Sequence, residues 1–394
     1  MTSCWETGAE GVKRLAVLGS TGSIGTSTLS VVEAFPDLYR VEALAAGVNL
    51  EVLRPQIAVH RPSVVAVRHH KDATTLAGEF PATRFTSGPD GLEEVACAGE
   101  ADTVVAALVG SVGLAPTLAA IHAGKNIALA NKETLVVAGD VVMAAAAEAG
   151  IDILPVDSEH NAIHQALRVG PADRVKRLIL TASGGPFRTW SAEKIERATL
   201  EQTLNHPTWK MGPKITVDSA TMMNKGLEII EAHHLFDVPS EAIDVLVHPQ
   251  SLVHSLVEYV DGTLMAQLSV NDMRFPIMYA LAWPDRLDSP LPALDLAKVG
   301  QLTFEAPDPV RFPALRLARL SLEAGGEMPA VMNAANEVAV AAFLEGACDF
   351  LDITVTVEAV MDLWAPRNRP LTDLVQALAA DDEARHLAQA HLNR

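Results

Sequence analysis

Residues 218–228 read DSATMMNKGLE. Ser219 and Thr221 bring hydroxyls, Asn224 an amide, Lys225 an ammonium, and the run closes on the Glu228 carboxylate. Serine, threonine, asparagine and lysine are donors suited to phosphate oxygens. Asn224, Lys225 and Glu228 fall within about one helical turn, so all three can serve one site. The run can hold an anion at one end and a metal at the other. A plainer reading is a polar helix start with Asp218 or Ser219 as N-cap.

A second cluster follows an apolar run. Residues 153–156 (ILPV) lead into Asp157, Ser158, Glu159 and His160. If a strand continues through this segment, Asp157 and Glu159 point to one side. Adjacent carboxylates repel, and a cation between them relieves the repulsion. With Glu228 as a third hard oxygen ligand, such a group suits Mg2+ or Mn2+ and leaves positions open for substrate oxygens. His160 and His164 are four apart, a spacing that can bind zinc, but the first lacks the adjacent glutamate of the zinc-protease motif.

Two loops complete the inventory. Residues 182–187 (ASGGPF) follow an expected strand and offer backbone amides and the Ser183 hydroxyl as a phosphate nest. Residues 205–212 (NHPTWKMG) place His206, Trp209 and Met211 in a loop between periodic segments. Apolar side chains are costly to leave in water, so this loop is expected to close over a ligand as a lid.

Elements must position these groups. An apolar strand over residues 14–18 runs into Gly19, Gly22 and Gly25, and a helical pattern follows directly. Strand, glycine turn and helix N-terminus together make a dinucleotide site, although the spacing is G-x-x-G-x-x-G rather than G-x-G-x-x-G. The second strand ends in Gly47, Val48 and Asn49, with no acid at its tip to bind ribose hydroxyls; Glu51 follows closely. That absence favours NADPH over NADH. The matching cation is not evident, because Val48 is apolar and Arg54 is only a candidate. Asn131, Lys132 and Glu133 end a further expected strand, where a parallel sheet binds its ligands.

Over residues 13–154, expected strands at 14–18, 39–45, 63–67, 103–106, 126–130 and 152–155 alternate with amphipathic helical stretches such as 26–34 and 114–123. This predicts a doubly wound parallel sheet. Longer strands follow at 177–181, 242–247, 251–259 and 263–268, the last two joined by the turn signal Asp261-Gly262. From residue 314 the apolar spacing is helical, with Gly325, Gly326 and Gly346 as stops. The predicted fold class is α/β, with a Rossmann-like domain at 1–156 and an α+β catalytic domain at 157–288. A Pro-rich linker at 289–313 and a helical domain at 314–394 complete it.

Composition bounds the partners. Lys plus Arg number 30 against 49 Asp plus Glu, a formal charge of -19, which argues against general nucleic-acid binding. Cys4, Cys97 and Cys348 show no metal or disulfide spacing, as in a reducing cytoplasm. No apolar run reaches about 18 residues, so no membrane span is expected. The first residues, with Glu6 and Glu10 and no signal-type apolar core, are expected to be an unstructured lead-in.

Together these segments resemble the 1-deoxy-D-xylulose 5-phosphate reductoisomerases. The shared stretches are 19–25, 129–133, 155–163, 183–187, 206–212, 217–231 and 248–254, and the likeness runs from residue 15 into the helices around 333–337. The resemblance implies an NADPH-binding domain, a catalytic domain carrying a homodimer contact, and a C-terminal helical bundle. It implies Asp157, Glu159 and Glu228 as metal ligands, and Ser183, His206, Ser219, Asn224 and Lys225 as the substrate-phosphate pocket. Lys132 and Ser158 would contact substrate oxygens under a lid residue, Trp209. Thr21, Gly22, Ser23, Ile24, Gly47, Val48, Asn49, Asn131, Glu133 and Gly212 would touch NADPH. Some relatives carry Lys where this chain has Val48. The implied reaction rearranges a ketose phosphate by retro-aldol and aldol steps to a branched aldehyde, which NADPH reduces. A reductase without rearrangement, which needs no three carboxylates, and a dinucleotide-sensing interaction protein are the alternatives.

Overall fold

The computed structural model describes residues 11–393. The expected lead-in, with Cys4, Glu6 and Glu10, falls on residues 1–10, outside the described residues. The chain forms two compact units. The first comprises the described residues up to Thr134 with Val142–Asn161 and Asp272–Leu291; the second comprises Leu135–Val141, Ala162–Asn271 and the residues from Pro292 onward.

The first unit is built on seven strands: β1 (Lys13–Leu18), β2 (Tyr39–Ala45), β3 (Val64–Val67), β4 (Arg84–Ser87), β5 (Thr103–Ala106), β6 (Asn126–Leu129) and β7 (Ile153–Pro155). Their order is β4-β3-β2-β1-β5-β6-β7, with every neighbouring pair parallel. Six of the seven are legible as short apolar runs, because a strand covered on both faces must be apolar throughout. β4 (RFTS) is not, since none of its residues is fully buried, whereas β7, at the opposite edge, buries Leu154 and Pro155. The segment Asp272–Leu291 belongs here because its helix Arg274–Ala282 sends Ile277, Met278, Ala280 and Leu281 into the core. The Lys13 ammonium donates to the Leu281 carbonyl at 2.7 Å, and burial lowers its pKa below the ordinary lysine value.

The second unit has four strands, β8 (Val175–Ala182), β9 (Ile243–Val247), β10 (Val253–Tyr259) and β11 (Leu264–Leu268), ordered β11-β10-β8-β9. β8 pairs with β9 in parallel; β10 is antiparallel to both β8 and β11. Asp261 and Gly262 turn β10 into β11, with Gly262 at φ 83° and the Asp261 carboxylate accepting the Thr263 N–H at 2.9 Å. Helices Ala314–Ala324, Met328–Leu344, Asp352–Trp364 and Leu374–Leu392 form the helical part. It packs on helix Met223–Phe236, where a side chain at Gly226 would meet Ala318 at 3.0 Å.

Candidate active site

In the first unit the predicted groups collect at the carboxyl ends of the parallel strands, around the point where the strand order reverses beside β1. Gly19 takes φ +91°, and a Cβ there would lie 2.4 Å from the Ala107 carbonyl oxygen. A Cβ on Gly25 would lie 2.3 Å from the Gly19 carbonyl oxygen and 2.5 Å from the Ser20 Cα. Gly22 is the N-cap of helix Ser23–Ala34. The helix's first amides have no carbonyl one turn back, so Thr21, Gly22, Ser23 and Ile24 border a cradle open to a phosphate.

Gly47, Val48 and Asn49 form an exposed tip after β2, and Asn49 caps helix Leu50–His60 by accepting the Val52 N–H at 3.3 Å. Arg54 is committed elsewhere, in a two-point pair with Glu79 at 2.6 and 2.9 Å. After β6, Asn131 donates to Glu133 at 2.9 Å and to the Gly110 carbonyl at 3.1 Å, and all three of Asn131, Lys132 and Glu133 are buried.

The expected strand through Asp157 and Glu159 does not form. β7 stops at Pro155 and helix Ser158–Ala166 begins. The Asp157 carbonyl accepts the Asn161 N–H at 2.8 Å, the first bond of that helix. Alternation therefore does not order the two carboxylates; a helix start does, with its positive end beside them. Asp157 pairs with the Lys132 ammonium from the neighbouring strand end, and Ser158 donates to Glu159 at 2.6 Å. His160 and His164 are both buried, and burial pushes His164 down to about 4.

In the second unit the DSATMMNKGLE segment is two helices with a break. Helix Pro213–Thr221 ends at Met222, which adopts φ 65°, and helix Met223–Phe236 starts at once. A positive φ is unfavourable for a residue with a Cβ. Two things hold it. Thr221 Oγ1 accepts the Met223 N–H at 3.2 Å, and Met222 and Met223 bury their side chains in two different apolar clusters. Asp218 is no N-cap; it is buried, paired with Lys214 at 2.9 Å and accepting from Asn336 at 2.9 Å. Beyond the break, Glu228 accepts from Asn224 Nδ2 at 2.6 Å and from Lys225 Nζ at 2.5 Å.

Ser183, His206 and Ser219 come together. Gly184 and Gly185 take φ +82° and +67°, and a Cβ on Gly185 would lie 2.6 Å from the Ser219 carbonyl, so the glycines let this loop lie against the helix. His206 Nε2 is 2.9 Å from Ser183 Oγ and 3.1 Å from Ser219 Oγ. Its Nδ1 accepts the backbone N–H groups of Thr208 at 3.2 Å and Trp209 at 3.0 Å. An Nδ1 that accepts leaves the ring proton on Nε2. Burial lowers His206 to about 4, so the ring is neutral at pH 7. Ser183 Oγ also accepts the Gly185 N–H at 3.2 Å, which leaves its own hydrogen to be donated to an anion. Residues 205–212 have no helix or strand, Trp209 is half-buried, and Gly212 is the N-cap of helix Pro213–Thr221.

Comparison with known proteins matches three family models: 1-deoxy-D-xylulose 5-phosphate reductoisomerase over residues 15–139, its C-terminal domain over 153–236, and the DXP reductoisomerase C-terminal domain over 268–387. The 1-deoxy-D-xylulose 5-phosphate reductoisomerase of Citrifermentans bemidjiense is 52% identical over 380 residues, 96% of this chain and 98% of that protein. The chain belongs to this reductoisomerase family. That of Chlorobium chlorochromatii is 53% identical over 386 residues, 97% of this chain and 100% of that protein. The solved Zymomonas mobilis reductoisomerase in complex with NADPH has a TM-score of 0.90 at 47% identity, over 97% of this chain and 99% of that one. A DOX-P reductoisomerase with NADPH, fosmidomycin and magnesium has a TM-score of 0.92 at 42% identity, over 97% of this chain and 98% of that one.

Two side chains that hold the second unit's cluster, Lys214 and Thr221, went unread as supports in the sequence. Lys214 lies one helical turn before Asp218, a spacing that could have flagged it. The Thr221 cap is invisible without the break it serves.

Proposed function

We propose that the chain converts 1-deoxy-D-xylulose 5-phosphate to 2-C-methyl-D-erythritol 4-phosphate, using NADPH and one divalent cation, in non-mevalonate isoprenoid precursor synthesis. What supports this most is the Ser183, His206 and Ser219 cluster, a neutral imidazole that orients two hydroxyls beside a glycine nest. It fits the phosphate of a sugar, a handle that does not react but whose binding energy can position the part that does. Asn224 and Lys225 are the further donors to that phosphate.

Asp157, Glu159 and Glu228 are the proposed ligands of Mg2+ or Mn2+. Lysine ammonium groups sit against Asp157 and Glu228, so each carboxylate is already matched to positive charge. Hard oxygen donors of this kind suit those ions. The glycine cradle after β1 suits a pyrophosphate, with Thr21, Gly22, Ser23 and Ile24 around it. Gly47, Val48, Asn49, Asn131, Glu133 and Gly212 complete the proposed cofactor contacts. When bound, the cation polarises the substrate carbonyl and eases loss of a hydroxyl proton, and NADPH supplies the hydride. Lys132 and Ser158 orient the substrate's oxygens, and residues 205–212 with Trp209 exclude water.

The proposed functional division keeps cofactor binding in 1–156, catalysis and dimerisation in 157–288, a linker at 289–313 and helical support from 314, although in packing residues 157–161 and 272–291 go with the first unit and 135–141 with the second. A homodimer is part of the proposal, and β11, at the edge of its sheet, is a surface onto which a second chain can pair. A cytoplasmic location accords with the scattered cysteines; no helix among the described residues is long and apolar enough to cross a membrane.

Incubation with the ketose phosphate, NADPH and Mg2+ or Mn2+, with the product identified by NMR, tests this. A branched polyol phosphate is expected. An unbranched alcohol would establish the simple reductase, and no turnover with intact NADPH binding would establish the sensing protein. Sedimentation at several concentrations tests the dimer.

A further inference from the structure

The tip after β2 is where a Rossmann-like sheet meets the adenosine ribose. It lacks an acid, and it also lacks a cation. Val48 is 62% exposed with no polar atom to offer, and Arg54 is held by Glu79. Pairing with β3 supplies what the tip lacks. β2 and β3 are parallel neighbours in register Ala45 to Ala66, and beyond it the Ala46 N–H donates to the Ala66 carbonyl at 2.9 Å. The pairing runs on past both strand ends, where the Arg68 N–H donates to the Gly47 carbonyl at 3.3 Å. Arg68 is thus anchored by its own backbone to the first residue of the tip.

Its side chain is exposed and, among the described residues, has no ion-pair partner. Neighbouring strands lie about 4.8 Å apart, a gap a guanidinium on three methylenes spans. Its planar fork matches a phosphate's oxygens. His69, His70 and Lys71 follow, also exposed, and no acid falls between residues 68 and 71.

We infer that Arg68 is the residue that recognises the 2′-phosphate of NADPH, supplying from β3 the charge that Val48 leaves out at the β2 tip. This rests on the NADPH reading above. It makes Arg68 a specificity-determining residue: it discriminates NADPH from NADH without touching the reacting atoms.

The test is calorimetric binding of NADPH, NADH and 2′,5′-ADP to the full-length protein at fixed ionic strength. The proteins compared are unmodified, Arg68→Ala, Lys71→Ala and Arg68→Ala/Val48→Lys. Arg68 is exposed, so its removal leaves the fold intact, which unchanged NADH affinity verifies. One lost charge-assisted phosphate contact should weaken NADPH and 2′,5′-ADP by about tenfold or more. NADH should change less than about twofold, and adding Lys at position 48 should restore part of the loss. Retained discrimination in Arg68→Ala, or its loss in Lys71→Ala instead, overturns the assignment while leaving the NADPH reading standing. Equal binding of both cofactors by the unmodified protein overturns both.

Discussion

Glu228→Gln keeps the shape of a fully buried side chain and removes its charge. Glu228 is 0% exposed and Lys225 3%, so water screens neither, and their atoms are 2.5 Å apart. Removing one partner of a buried pair costs about 3–5 kcal/mol, because the remaining ion stays in a low dielectric. The amide also has one oxygen for two donors, Asn224 and Lys225, a loss that overlaps with the first and is not added to it. Taking about 3 kcal/mol, and about 2–4 °C of melting shift per kcal/mol for a unit of this size, the unfolding transition should fall by about 6–12 °C.

Sequence reasoning alone expects this variant to stay folded and lose only its metal chemistry; the buried pair adds a stability cost. Calorimetry without divalent cation measures it. A second scan with Mg2+ isolates the ligand role. An ion at 100 times its Kd stabilises a single site by about 2.7 kcal/mol, and the variant should forfeit most of that response. Metal-dependent turnover should fall by orders of magnitude, with NADPH binding retained. A shift below about 1 °C would refute the buried-pair reasoning. An unaltered magnesium response with unaltered turnover would refute Glu228 as a ligand.

Gly25→Ala places a methyl 2.3 Å from the Gly19 carbonyl oxygen, which forces the cradle open; NADPH affinity should drop by about tenfold or more, read by fluorescence titration. Since His206 is depressed to about 4, its stabilising effect is complete above the ordinary histidine value of 6.5 and declines as pH falls from there toward 4. NMR should place its midpoint near 4, and a bound phosphate dianion should raise it. Trp209→Ala should weaken catalysis and spare NADPH binding, while hydrogen exchange across residues 205–212 slows only when a phosphorylated ligand and metal are present; equal protection in both states would mean a fixed wall. The unmodified protein should prefer NADPH, and Val48→Lys should widen the preference by about 1–2 kcal/mol; equal use of both cofactors by the unmodified protein would contradict this.

The sequence by itself determined what local rules govern. A strand covered on both faces must be apolar, so β1, β2, β3, β5, β6 and β7 are readable in their own residues. Gly19 and Gly25 mark a turn that no Cβ would fit, and the donors and acceptors present in residues 218–228 are stated by side-chain type alone. Tertiary structure decided whatever depends on neighbours distant in the chain. β4 is a strand because β3 offers it an edge, not because RFTS is apolar. Residues 157–159 start a helix because β7 ends at Pro155. Met222 takes a left-handed conformation because burial on two sides outweighs the local cost. Arg54 faces Glu79, and Arg68 lies beside Gly47, through pairings 25 and 21 residues apart. Spacing along the chain reports which groups share a turn or a face. Which groups share a site is set by strand order and burial, and both exist only once the chain has folded.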